Sequence, residues 1–239
     1  MRKIRIAQIG MNKNSHGTQI FQTLCQHPEV FEIAGYALVE NERENCAERL
    51  HVFKGYTELT LDAILNDPTI EAVTVETDEI HLTKYATLAI ERGKHVHMEK
   101  PGSQSLADFE KLIEAAKTSG KVFHTGYMYR YNPAVRKTLE LIADGSLGEI
   151  YSINAEMSTY HPKGYKEWLA GFKGGIMYIL GSHLVDLIIY MLGRPNRVVP
   201  FLKHTGLDGV DLEDNNLAVL EYDKAIARVF VSSVEVNGY

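Results

Sequence analysis

Hydrophobic positions in the first half of the chain switch repeatedly between two periods. Alternating or continuous apolar runs predict strands at Ile4–Gly10, Phe31–Val39, Ile70–Val75, His95–Met98 and Lys121–His124. Between them, apolar residues recur at helical spacing. Ser15 to Gln26 carries Ile20, Phe21 and Leu24 on one face, with Ser15 as N-cap. Cys46 to His51 continues a helix, and Tyr56-Thr57-Glu58 opens another, with Leu61, Ile64 and Leu65 apolar, that Asp67-Pro68 ends. Thr77 to Arg92 groups Ile80, Tyr85, Leu88 and Ala89 before Gly93, and Gly120 closes Ser105 to Ser119. Strand and helix alternate with connections of a few residues. That order predicts an α/β fold, a doubly wound parallel sheet with right-handed crossovers.

The pattern changes near Gly126. Tyr127-Met128-Tyr129-Arg130-Tyr131-Asn132-Pro133 is an aromatic run with one arginine. Asn132 is placed to cap a helix that has Pro133 at its first position and runs to Asp144. Gly148 to Met157 alternates as a strand, Ser158 to Lys173 reads as a polar, aromatic loop, and Ile176 to Leu192 as a strongly apolar helix. Alternation returns at Asn196–His204, Leu212–Glu221 and Ala225–Val236. Strands clustered in this way predict a second, α+β domain with a mostly antiparallel open sheet, so that the domains are 1–125 and 126–239.

Composition narrows the function classes. The 239 residues carry a net charge of −6 with no basic stripe, which argues against a nucleic-acid partner. No apolar run reaches the roughly 20 residues that span a bilayer. Met1-Arg2-Lys3 leads directly into a strand-like run too short for a signal peptide. Cys25 and Cys46 have no metal-ligand spacing, and both are expected reduced in a cytoplasmic protein.

Two stretches carry chemistry. The first is the strand ending Met98-Glu99-Lys100-Pro101. Proline lacks the N–H that a ladder needs, so the strand stops there and leaves Glu99 and Lys100 at its carboxyl end. In open α/β sheets that edge is where ligands bind. A lysine there can hydrogen-bond a substrate hydroxyl and stabilise the oxyanion formed as its proton leaves. The second is Gly10-Met11-Asn12-Lys13-Asn14-Ser15-His16-Gly17, a glycine-bearing turn between strand and helix that would present N–H groups to a phosphate. The dinucleotide fingerprint asks for Gly-x-Gly-x-x-Gly, and here Asn12 takes the second glycine's place. Gly10, Asn12, Ser15, His16, Thr77, Glu99, Lys100 and Pro101 are the candidate cofactor contacts. An acid after the second strand suits the ribose hydroxyls of NAD and would repel the extra phosphate of NADP; Glu40 stands first there, with Glu42 and Glu44 as close alternatives. His95 and His97 share one strand face, but no third ligand follows at convincing spacing, so no metal is expected.

With these residues in place, the sequence resembles the glucose-fructose oxidoreductase / inositol dehydrogenase family (Gfo/Idh/MocA) along its whole length. Gly93-Lys94-His95-Val96-His97-Met98-Glu99-Lys100-Pro101 is similar to the family's lysine motif, and Arg130-Tyr131-Asn132-Pro133 to its segment at the domain junction. Gly145-Ser146-Leu147-Gly148-Glu149-Ile150 resembles the entry into the second sheet. Gly174-Gly175 followed by Gly181-Ser182-His183-Leu184-Val185-Asp186 resembles the family's histidine helix.

The resemblance implies a Rossmann domain holding NAD or NADP and an open sheet that mediates homo-oligomer contacts. It implies hydride transfer at a secondary alcohol of a sugar or polyol. Lys100 would bind the reacting hydroxyl and His183 would be the acid/base; histidine's ordinary pKa near 6.5 suits that work. Tyr127, Arg130, Asn132, His161 and Trp168 are candidate substrate contacts. Three departures accompany the match: the incomplete glycine turn, Ile179 where the family often has an aspartate four residues before the histidine, and a chain shorter than its relatives, ending within the second sheet. The first two motivate an alternative, a catalytically impaired dinucleotide-binding or regulatory protein of the same fold.

Overall fold

The computed structural model describes residues 2–236, so the chain's end at Asn237–Tyr239 lies outside the described residues. The chain divides at Gly126/Tyr127 into two compact units. The first is a five-stranded parallel sheet in the order β2-β1-β3-β4-β5. Its strands are β1 (Ile4–Ile9), β2 (Phe31–Ala37), β3 (Ala72–Val75), β4 (His95–Met98) and β5 (Phe123–Thr125). Its helices are α1 (Gly17–Gln26), α2 (Glu42–Asn45), α3 (Leu61–Asn66), α4 (Leu82–Glu91) and α5 (Leu106–Ser119). Ile9, Val73, Val75, Val96 and Met98 pack with Leu82, Ala86 and Leu112 in the core. Each fully buried aliphatic side chain of this kind contributes about 1.5–3 kcal/mol, which outweighs the modest β-propensity of so short a sheet.

Several boundaries differ from expectation. Helix α1 starts at Gly17, because Ser15 Oγ accepts the Gly17 N–H at 3.2 Å in a local turn instead of capping the helix. Residues 56–58 do not open a helix. Thr57 O accepts the Tyr36 N–H and Tyr36 O the Leu59 N–H, so the segment lies along β2, and α3 begins after Thr60, whose hydroxyl caps it. The Cys46–His51 helix is a 3-10 segment, Ala47–Phe53. Helix α4 begins at Leu82, not Thr77. Asp78 draws the Ile80 N–H onto its carboxylate and the His81 N–H onto its carbonyl, and Ile80 is left exposed.

The second unit contains α6 (Pro133–Ala143), β6 (Ser152–Ser158), α7 (Lys163–Leu169), α8 (Ser182–Leu192), β7 (Arg197–Lys203), β8 (Asn215–Glu221) and β9 (Ile226–Ser232). Its sheet order is β6-β9-β8-β7. The β7–β8 and β8–β9 pairs are antiparallel, and β6–β9 is parallel, which the helical connection after β6 permits. The sheet is therefore mixed, mostly antiparallel. The expected loop 158–173 contains α7, whose inward positions are Lys166 and Leu169. A lysine at a buried position hides the helical period. The apolar helix expected from Ile176 is two pieces, a π turn at Met177–Gly181 and α8. Among the described residues no helix is long and apolar enough to cross a membrane.

Candidate functional site

In the first unit the strand ends gather acids around the glycine turn. Gly10 has φ +86°, and a Cβ there would lie 2.7 Å from Thr77 Cβ and 2.8 Å from Thr77 N. Only glycine allows this approach of β1's end to the β3–α4 turn. Asn12 is buried with its side chain turned into the protein. Its Nδ2 donates to Glu79 Oε2 at 2.6 Å, and its Oδ1 accepts the Asn14 N–H at 2.9 Å. The asparagine thus braces the turn, and what it offers a ligand is backbone. Arg49 holds the same turn from outside, donating to the carbonyls of Asn12 at 2.5 Å and Ser15 at 2.9 Å.

Glu99 and Lys100 are buried at the end of β4, and the Lys100 N–H donates to Glu99 Oε1 at 2.8 Å. The Lys100–Pro101 peptide is cis, and Pro101 is buried. His16 is exposed, with Nδ1 3.7 Å from Glu99 Oε2. Burial opposes ionisation of Glu99, but His16 and Lys100 more than offset it and hold its pKa below the ordinary value. Burial pushes Glu79 up to about 7, and Glu42, whose Oε2 accepts the Val39 N–H at 2.8 Å, also to about 7.

Glu76 is the extreme case. It is fully buried, and neither carboxyl oxygen has a hydrogen-bond partner among the described residues. Sequence reasoning missed Glu76 and Glu79, and named Glu42 only as an alternative to Glu40 for the ribose contact. Glu79 falls in the first turn of the run assigned to a helix, where acids are ordinary, and Glu76 directly before it; the available signal was their position just past a strand's carboxyl end.

Glu40 has φ +51°, and its Oε1 accepts from Lys84 Nζ at 2.8 Å and Tyr85 Oη at 2.6 Å. Those bonds, Lys84 first, hold its pKa down at about 2. A ribose contact would fall to its other oxygen. His95 and His97 do not act as a pair. His95 Nδ1 accepts the Val122 N–H at 3.0 Å, while His97 Nδ1 meets His124 Nδ1 at 2.8 Å. No group of three or more metal-ligating side chains occurs among the described residues.

In the second unit, His183 is buried on the first turn of α8, edge-on to the rings of Tyr127 (5.7 Å) and Tyr129 (4.9 Å). The π turn precedes it directly; one extra residue in the turn resets which side chains lie beside the imidazole. Ile179 is buried in that turn, so no carboxylate stands there. Asp186, one turn on, is instead forked by Arg130, Nε at 2.7 Å and Nη2 at 2.6 Å, with Arg130 also 4.5 Å over the Tyr190 ring.

Two expected substrate contacts have partners within the protein. Arg130 makes this ion pair, and the Asn132 side chain caps α6 by accepting from the Ala134 and Val135 N–H groups. His161 stacks on Tyr165 at 4.3 Å, and Tyr165 packs on Trp168 at 4.9 Å. His161 Nδ1 and Trp168 Nε1 are buried without a hydrogen-bond partner among the described residues. Lys166, unforeseen, is fully buried against Asp208 at 2.8 Å.

Comparison with known proteins agrees with both halves. Residues 4–127 match the model of an oxidoreductase family with an NAD-binding Rossmann fold, and residues 135–239 match the GFO/IDH/MocA C-terminal domain. The chain is 32% identical over 181 residues to scyllo-inositol 2-dehydrogenase (NADP(+)) IolW of Bacillus subtilis (strain 168), covering 74% of this chain and 50% of that protein. It is 29% identical over 171 residues to D-xylose 1-dehydrogenase (NADP(+)) 2 of Haloferax volcanii, covering 70% and 52%. It thus spans about half the length of these relatives. The crystal structure of GenD2 from gentamicin A biosynthesis in complex with NAD superposes with a TM-score of 0.84 at 27% identity, over 100% of this chain and 68% of that one.

Proposed function

Because the chain belongs to the Gfo/Idh/MocA oxidoreductase family, we propose that it moves hydride between a nicotinamide dinucleotide and a secondary alcohol of a sugar or polyol. The observation that carries this reading is Lys100, buried beside Glu99 at the carboxyl end of β4, in the same unit as the tight Gly10 turn. These residues fit a dinucleotide. Gly10 makes the turn, the Asn12 side chain is turned inward, and His16 lies 3.7 Å from Glu99 beside it. When bound, the dinucleotide supplies the redox chemistry. The chain's own part is acid–base and positional. Lys100 holds the reacting hydroxyl and favours its oxyanion. His183 takes and returns the proton, its ring fixed by Tyr127 and Tyr129. His161 and Trp168 offer polar atoms to substrate hydroxyls.

The relatives that act on an inositol and on xylose support a polyol or sugar. Both carry NADP(+) in their names, whereas Glu40 favours NAD. The exposed Val198, Phe201 and Leu202 on β7 support homo-oligomerisation through this sheet, and a monomer by light scattering would contradict it. A panel of sugars and polyols, read by absorbance of the reduced nicotinamide, tests the main reading. Turnover that is lost in Lys100→Met supports it. Dinucleotide binding without turnover on any of them would favour the impaired alternative that Ile179 motivates.

A further inference from the structure

Glu76 follows β3 and lies beneath the start of α1. A Cβ on Gly17, the first residue of that helix, would sit 3.1 Å from Glu76 Cβ and 3.5 Å from its Oε2. Helix α1 has ten residues, no acid in its first turn and no side-chain cap at His16. Its N-terminal partial positive charge is therefore shared between a buried carboxyl below and whatever anion arrives above. We propose, resting on the dinucleotide reading of this unit, that Glu76 is the proton-bearing residue of the site, and that the site accepts an anionic pyrophosphate only while the Glu76 carboxyl is neutral.

The surroundings supply the physical reason. A fully buried carboxylate with no hydrogen-bond donor among the described residues is costly to ionise. From β4, His97 Nε2 lies 3.7 Å from Glu76 Oε1, but burial and then His124 push His97 down to about 4, so it offers no cation at neutral pH. Glu99 from the end of β4 and Glu79 from the β3–α4 turn are like charges, whereas Arg49 and Lys100 favour ionisation. Burial dominates this balance, the two acids add to it, and the Glu76 pKa stands well above the carboxylate range. Pyrophosphate brings further negative charge to the same helix end. An ionised Glu76 and a bound pyrophosphate therefore exclude one another, and Glu76 acts as a positioning residue through α1.

Calorimetric titration with NADH from pH 6 to pH 10, in two buffers of different ionisation enthalpy, tests this. The expected result is an affinity that falls about tenfold per pH unit once Glu76 ionises, with uptake of one proton on binding in that range. Glu76→Gln should bind as wild type at pH 6 and lose the alkaline fall, while Glu79→Gln should keep it. An affinity that stays flat to pH 10, or the same fall in Glu76→Gln, would overturn the inference. If Glu76→Gln does not fold, the proton count on the wild-type chain decides alone: one proton supports the proposal and none overturns it. Failure of folded wild-type protein to bind NADH at every pH would overturn the dinucleotide reading itself.

Discussion

In the second unit Arg130 forks onto Asp186 and Lys166 meets Asp208 at 2.8 Å, each charge facing its opposite. In the first, Glu76 is buried with no hydrogen bond among the described residues, and Glu79 has an amide, not a cation, as its side-chain partner there. The same residue types thus serve two ends. A buried charge that is paired holds elements in place, and its loss is felt as instability. A buried acid left with few partners stays protonated and near the binding edge, and its loss is felt in ligand affinity and pH dependence.

The comparison can be broken most sharply at Lys100. Lys100→Met should lower kcat by about 10²–10³-fold, the effect of removing one donor aimed at a developing oxyanion. Steady-state assay on the substrate found by the panel checks it. Next is the pH dependence of stability. Glu79 has its folded pKa raised to about 7 from an ordinary value of 4.5. The native state then binds more protons than the unfolded one between those values. The stabilisation is fully present below pH 4.5 and is lost as pH rises through 7, amounting to the order of a few kcal/mol.

Urea unfolding across pH 4.5–8 should show that fall, and Glu79→Gln should reduce it, with Glu42, also raised to about 7, contributing in the same sense. His97, depressed to about 4, contributes in the opposite sense, its stabilisation being lost as pH falls from 6.5 through 4. Arg130→Ala should then cost about 2 kcal/mol in urea unfolding, since Asp186 is left with its charge-assisted bonds unmade. Its effect on NADH affinity should be negligible. The smallest effect is expected at Glu40, whose side chain is 34% exposed. Glu40→Gln should change stability by less than about 1 kcal/mol, while lowering the preference for NADH over NADPH in a binding assay.

What the residues revealed in advance follows local rules. Pro101 ends β4 and so delivers Lys100; Asn132-Pro133 starts α6; Gly120 closes α5 with φ +64°. Each of these is set by one or two residues and needs no tertiary context. Other features depend on contacts distant in sequence. The inward turn of Asn12 requires Glu79, 67 positions away, and the role of Arg130 as a brace requires Asp186, 56 positions away. The π turn before His183 lies within an uninterrupted apolar run, so periodicity could not locate it. Helix α7 was hidden because its inward position is a lysine, which is apolar only along its stem.

The most direct test of the account is a titration of purified, folded chain with NADH and, separately, NADPH at pH 7. The account predicts saturable binding of a dinucleotide, NADH the tighter, abolished by Gly10→Val, whose side chain has no room beside Thr77. Absence of binding by either dinucleotide would contradict it.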